Sequence, residues 1–153
     1  MPATPRLKPV VWIGDARAAL SAFPDEVKDS IGFALYAAQQ GGKHRDAKPL
    51  RGFGGAGVLE IVDDHDGDTY RAVYTVRFPG RVYVLHAFQK KSKTGIKTPK
   101  AVISLIESRL KRAKEEHAAW LEQQKGIEQR AHAPGGTASD FGARNPRDRK
   151  VYR

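Results

Sequence analysis

Two turn signals, Asp66-Gly67 and Pro79-Gly80, divide residues 58–90 into three segments of strand length. Asp-Gly suits the tight turn whose central residues both take positive φ, and that turn matches the twist of two antiparallel strands. The segments Val58–Asp63, Thr69–Phe78 and Arg81–Lys90 are rich in β-branched and aromatic residues and alternate in polarity. The pattern predicts three consecutive antiparallel strands, and the rest of the chain must pack on them.

Side-chain parity follows from the first turn. If Asp66-Gly67 is a two-residue loop, Val62 faces Arg71, Ile61 faces Ala72 and Glu60 faces Val73. Leu59, Ile61, Tyr70, Ala72, Tyr74 and Val76 then share an apolar face that helices should cover. Glu60, Val62, Arg71, Val73, Thr75 and Arg77 share the other. A two-residue turn at Pro79-Gly80 adds Val84, His86, Phe88 and Lys90 to that second face. A bulge at that turn substitutes Tyr83, Leu85, Ala87 and Gln89, and Pro-Gly matches hairpin twist poorly enough to leave both registers open. The first register gathers Glu60, Arg71, His86, Phe88 and Lys90 on a face expected to be free of helices.

The flanking segments read as helices. Val10–Ile13 is a short strand ending at Gly14, and Asp15 is placed as N-cap of a helix over Ala16–Phe23. Pro24 interrupts. Asp25 and Glu26 open a second helix through Gln40, with Val27, Ile31, Ala34, Leu35 and Ala38 at helical spacing and Gly41-Gly42 as its stop. Lys43–Gly57 is basic and Gly-rich, and its GFGGAG run lacks the spacing of a phosphate-binding loop. Thr98-Pro99 starts a C-terminal helix expected to reach about Gln124, with Val102, Leu105, Ile106, Leu110 and Ala113 as its apolar stripe. The composition change then gives one domain over residues 8–125 and a disordered basic tail over 126–153.

Charge is distributed unevenly. Residues 69–114 hold twelve Lys/Arg and one acid, Glu107, whereas residues 1–68 hold eight Lys/Arg and ten Asp/Glu. Tyr70, Tyr74, Phe78, Tyr83 and Phe88 interleave with the positive charge. Phosphate attraction plus base stacking is how single-stranded RNA is held, so the pattern points to a polyanion partner. The chain has no cysteine, which excludes disulfides, thiolate metal sites and cysteine nucleophiles. No segment has the length and apolarity of a signal peptide or membrane helix, so a soluble cytoplasmic protein without membrane association is expected. The five histidines are scattered, and the acidic run DDHDGD lacks the late glutamate of a calcium loop, so no cofactor or metal is expected.

The segments Glu60-Ile61, Tyr70–Tyr74 (YRAVY) and Leu85–Lys100 (LHAFQKKSKTGIKTPK) resemble the RelE/ParE toxin superfamily, and within it the HigB-like, phage-related branch of type II toxin–antitoxin systems. The resemblance spans roughly Lys8–Glu116. It implies an α+β fold, with a small twisted antiparallel sheet, an N-terminal helical hairpin on one face and a C-terminal helix. It implies a metal-independent endoribonuclease that cuts mRNA, often in the ribosomal A site, and a cognate helix-turn-helix antitoxin. The family's third-strand arginine falls on Arg71, and its basic cluster at the end of the fourth strand falls on Lys90 and Lys91. The second-strand lysines of RelE fall on Glu60 and Val62, which leaves Glu60 as the ionisable group there. Gyrase inhibition by the same fold and RNA binding without catalysis are the alternatives.

A ribonuclease that uses the substrate's 2′-hydroxyl needs a base, cations for the pentavalent phosphate and an acid for the leaving oxygen. Arg71 suits the phosphate, because a guanidinium is permanently charged and binds it bidentately; the plain alternative is an ion pair with Glu60. Glu60 and His86 are the proton-transfer candidates, with Lys90 and Lys91 as further cations. Lys93, Lys97 and Arg77 are assigned to RNA binding, and Phe88 to base stacking.

Overall fold

Asp66 and Gly67 adopt φ of 50° and 84°, and the hairpin they close sets the frame of the sheet. The computed structural model describes residues 6–54, 57–90 and 99–131. Its elements are β1 (Val10–Trp12), α1 (Ala16–Ser21), α2 (Asp25–Gln39), β2 (Lys48–Pro49), β3 (Val58–His65), β4 (Asp68–Thr75), β5 (Val82–Lys90) and α3 (Lys100–Ala131). The fold is α+β, with strand order β1-β5-β4-β3-β2. Val62 pairs with Arg71, Ile61 with Ala72 and Glu60 with Val73, as the two-residue turn requires.

The sheet is mixed rather than wholly antiparallel, because β1 runs parallel to β5, with Val10 opposite Val82 and Trp12 opposite Val84. A parallel neighbour needs a long connection, and α1, α2 and the β2–β4 strands supply it. The short β2 lies inside the Gly-rich segment, where the sequence pattern predicts no strand. It pairs Lys48 with Glu60 and Pro49 with Leu59 at the sheet edge, where a proline is tolerated.

The β4–β5 register resolves the question left open at Pro79-Gly80. Arg71 pairs with Phe88 and Val73 with His86, but Tyr74 pairs with Val84. The bulge therefore falls at Leu85, inside the strand, not at the turn. Parity changes there. His86 and Phe88 stay on the second face, while Val84 joins the first and Tyr83 and Leu85 join the second.

On the first face Val27, Ile31, Ala34 and Leu35 of α2 pack with Leu59, Ile61, Ala72 and Tyr74. The second face is not free of helices. Ile106 and Ala113 of α3 pack on Val58, Val73, Tyr83 and Leu85, joined by Leu50 and Phe53 from the segment after β2. The stripe read from the sequence is the reason, since Val102 and Leu110 flank the same contact.

The chain divides into residues 1–115 and 116–153. In the second unit α3 continues through Gly126 to Ala131. Gly126–Ala131, expected in a tail, are thus helical; a mid-helix glycine costs only about 1 kcal/mol, and Glu128, Gln129 and Arg130 are good helix formers. Residues 132–153 of the expected tail lie outside the described residues. No helix among the described residues is long and apolar enough to cross a membrane.

The Tyr74 side chain is completely buried, and its hydroxyl has no hydrogen-bond partner among the described residues. Burial pushes the phenol up to about 12, from 10.0 in the unfolded chain. The unfolded chain therefore releases this proton first, and stability should fall as pH rises from 10 to 12. Tyr74→Phe should remove that loss and, at neutral pH, leave stability unchanged or raise it by up to about 1 kcal/mol. Urea melts of both proteins across this range check it.

Candidate nucleic-acid interface

A diagonal pair on the second face anchors the site. Glu60 of β3 and Arg71 of β4 are one step out of direct opposition, and Arg71 Nη1 donates to Glu60 Oε2 at 3.2 Å. The pair is largely withdrawn from water, with side-chain exposures of 6% for Arg71 and 18% for Glu60. Arg71 is thus embedded in the sheet, with Glu60 engaging its guanidinium.

Phe88 lies directly across from Arg71 on β5. Two residues back on the same face, the His86 ring stacks on the Phe88 ring, with centroids 5.1 Å apart and planes 18° apart. Both are half-buried, as is Lys90, which pairs in register with Thr69 at the end of β5. The structure therefore brings Glu60, Arg71, His86, Phe88 and Lys90 onto one end of one face. Lys91, Lys93 and Lys97 lie outside the described residues. Arg77 falls beyond the opposite end of β4, where its guanidinium donates to Phe53 O at 3.0 Å and its backbone closes on Gly57. That is a strand-end fastening, away from the other site residues. A cavity of about 170 Å³ lined by Phe33, His44, Arg45, Asp46 and Val62 includes none of Arg71, His86 or Phe88.

Arg109 belongs to the site and was not singled out from the sequence. Its side chain, only 13% exposed, comes off α3 between Ile106 and Ala113. Nη1 donates to Leu85 O at 2.9 Å and contacts His86 Nδ1 at 3.1 Å, and Nη2 donates to Asp15 Oδ1 at 2.7 Å. The available signal was spacing. Arg109 falls three residues after Ile106 and four before Ala113, on the buried stripe, where a charge requires a partner. Asp15 makes no side-chain cap to α1; its carboxylate turns to Arg109 instead. The hydrogen bond and charge of Arg109 hold the Asp15 carboxyl below its ordinary range. Burial, then the Arg109 charge, lowers the His86 pKa, with Asp15 opposing in part.

The family model described as "Phage derived protein Gp49-like (DUF891)" matches residues 18–111, more than half of the chain. The chain belongs to the Gp49-like family. The match takes in α2, the hairpin strands and the start of α3, so this Gp49-like protein carries Glu60, Arg71, His86, Phe88, Lys90 and Arg109 inside the family region and Asp15 outside it. No curated protein gives a significant match. Among solved structures, a chain of the toxin–antitoxin complex RelBE2 from Mycobacterium tuberculosis aligns at 18% identity, covering 60% of this chain and 100% of that one, with a TM-score of 0.39.

Removing the carboxylate that faces Arg71 should weaken the compensation of a shielded charge. Glu60→Gln should therefore destabilise the fold by about 2 kcal/mol, above the ~1 of an exposed pair and below the ~3–5 of a fully buried one. Urea melts at neutral pH measure this. A loss within a few tenths would show that the pair behaves as a solvated one.

Proposed function

We propose that this Gp49-like protein is the toxin of a type II toxin–antitoxin pair, HigB-like within the RelE/ParE superfamily, and that it cuts mRNA as an endoribonuclease. The observation that carries the reading is the stacked His86–Phe88 pair beside Arg71 and Glu60, on the strand that leads directly into Lys90, Lys91, Lys93 and Lys97. A base-stacking ring, a hydrogen-bonding imidazole and a carboxylate-paired guanidinium stand together next to a run of cations. That combination suits a single-stranded polyanion with planar bases.

The reaction uses the RNA's own nucleophile. The 2′-oxygen attacks phosphorus, its proton passes to a base, and the 5′-oxygen leaves with a proton taken from water, giving a 2′,3′-cyclic phosphate. Glu60 is assigned as the base. Its Oε2 is engaged by Arg71 until the pair opens, after which either carboxylate oxygen can take the proton. RNA phosphate competes with Glu60 for Arg71, and opening the pair would free both groups for chemistry. Lys90 and Lys91 neutralise the phosphate, while Lys93 and Lys97 extend the contact along the strand. No step requires a metal ion. The partners are mRNA, either free or in the ribosomal A site, and a helix-turn-helix antitoxin; the working compartment is the cytoplasm.

One observation favours a second reading, RNA binding without cutting. Arg71 is closed into its ion pair and shielded from solvent. Incubating the protein with mRNA in EDTA, with and without ribosomes, separates the two. Cleavage leaving 2′,3′-cyclic ends is expected; RNA that is bound but intact under both conditions would leave only the binding reading.

Affinity should depend on the lysines after β5. Neutralising Lys91, Lys93 and Lys97 together should flatten the salt dependence of RNA binding by roughly 0.7 in log–log slope for each lost contact. Titrations of one single-stranded RNA at several salt concentrations check this, and an unchanged slope would show the three to be solvated.

A further inference from the structure

We propose that Arg109 is a positioning residue that fixes the His86 ring with its proton on Nε2, so that His86 meets an RNA phosphate oxygen as a hydrogen-bond donor. The proposal rests on the RNA-directed reading above and gives His86 a different role from proton transfer. Arg109 Nη1 lies 3.1 Å from His86 Nδ1. A guanidinium only donates and stays charged, so Nδ1 must be the acceptor. A neutral ring accepting at Nδ1 carries its hydrogen at Nε2. The same nitrogen of Arg109 also caps Leu85 O, the carbonyl of the bulged residue, which fixes its distance from the next ring in the strand.

Two further contacts hold the guanidinium in place. Nη2 is tied to Asp15 Oδ1 at 2.7 Å. Gly14, at φ +58°, brings bare backbone against the guanidinium, and a Cβ there would come within 2.8 Å of Arg109 Cζ. The second side of the His86 ring is set by Phe88. Among the described residues, the charged groups facing His86 are Arg109 from α3 and Asp15 from the turn before α1, and burial together with Arg109 favours the neutral ring.

The arrangement limits what His86 can do. Nε2 already carries a proton, and Nδ1 faces a cation, so neither nitrogen is available to a 2′-hydroxyl as a base. A neutral Nε2–H is also too weak an acid to protonate a leaving oxygen. It is suited to donate a hydrogen bond to the charge that builds on phosphate oxygens.

Long-range proton–nitrogen spectra of the full-length, nitrogen-15-labelled protein at pH 7 read the tautomer directly. The His86 signals should show a protonated Nε2 and an unprotonated Nδ1. In Arg109→Leu the ring should populate both tautomers and titrate closer to the ordinary 6.5. A wild-type ring protonated on Nδ1, or charged at pH 7, overturns the proposal, whether or not Arg109→Leu folds. Cleavage of one RNA supplies the second test. His86→Gln keeps an amide donor near Nε2 but cannot cycle a proton, and should stay within about tenfold of wild type, whereas His86→Leu should lose about 10²-fold or more. Equal losses of about 10²–10⁴-fold in both would assign proton transfer to His86 and overturn the donor role. If the wild-type protein cuts no RNA, the ribonuclease reading fails by itself. The same two variants are then compared by RNA Kd, where retention by Gln and weakening by Leu support the donor role and equal weakening overturns it.

Discussion

The bulge at Leu85 decides which side chains of β5 reach which face, and the site depends on that choice. Without it, an unbroken alternation from Lys90 back to Val82 would bring Val84 and Val82 to the second face and send Tyr83 and Leu85 to the helical layer. With it, Val84 and Val82 serve the core under α1 and α2, Tyr83 and Leu85 serve the core under α3, and His86, Phe88 and Lys90 stay on the second face. One extra residue thus lets a single strand supply both cores and a polar end. The irregularity leaves a carbonyl that needs a donor, and Arg109 provides it.

Arg109 links three parts that the chain separates widely: the turn before α1, the bulge in β5 and the buried side of α3. Its charge is balanced by Asp15 and its donors by Leu85 O and His86. Charge burial of this kind stabilises less than an apolar contact would, because desolvation offsets much of the attraction. Its effect is geometric. An apolar residue at this position could pack α3 on the sheet but could not distinguish one orientation of the His86 ring from another. The Glu60–Arg71 pair acts similarly between β3 and β4. It holds two ionisable groups at fixed separation in a shielded setting.

Much of this fold was legible in the sequence. Asp66-Gly67 fixed the β3–β4 register residue by residue, because the side-chain period of two turns one correct turn into a complete face assignment. The Val27, Ile31, Ala34, Leu35 and Ala38 spacing placed α2 on the predicted face for the same kind of reason. What could not be read depended on contacts distant in sequence. Nothing local marks Leu85 as bulged; the shift shows only in the pairing of β5 with β4. The short β2 exists only because β3 offers an unpaired edge. Asp15 reads locally as a helix cap, and a cation 94 residues away redirects it. The candidate site shared this divide. Its strand residues followed from parity, whereas Arg109 required knowing that α3 covers the second face.

That coverage also explains why the polar groups collect at one end. Ile106 and Ala113 of α3, with Leu50 and Phe53, close the half of the second face built from Val58, Val73 and Tyr83. Around Arg71 the cover is incomplete: Phe88 packs against the rim of this apolar cluster and Arg109 of α3 reaches His86, while His86, Phe88 and Lys90 stay half-buried. Partial burial strengthens hydrogen bonds and charge interactions relative to bulk water while leaving an approach from solvent. A fully exposed cluster of the same residues would be screened by salt, and a fully buried one would be inaccessible to a polymer. The edge of the α3 contact is therefore the physical feature that leaves this end of the sheet both shielded and open to approach.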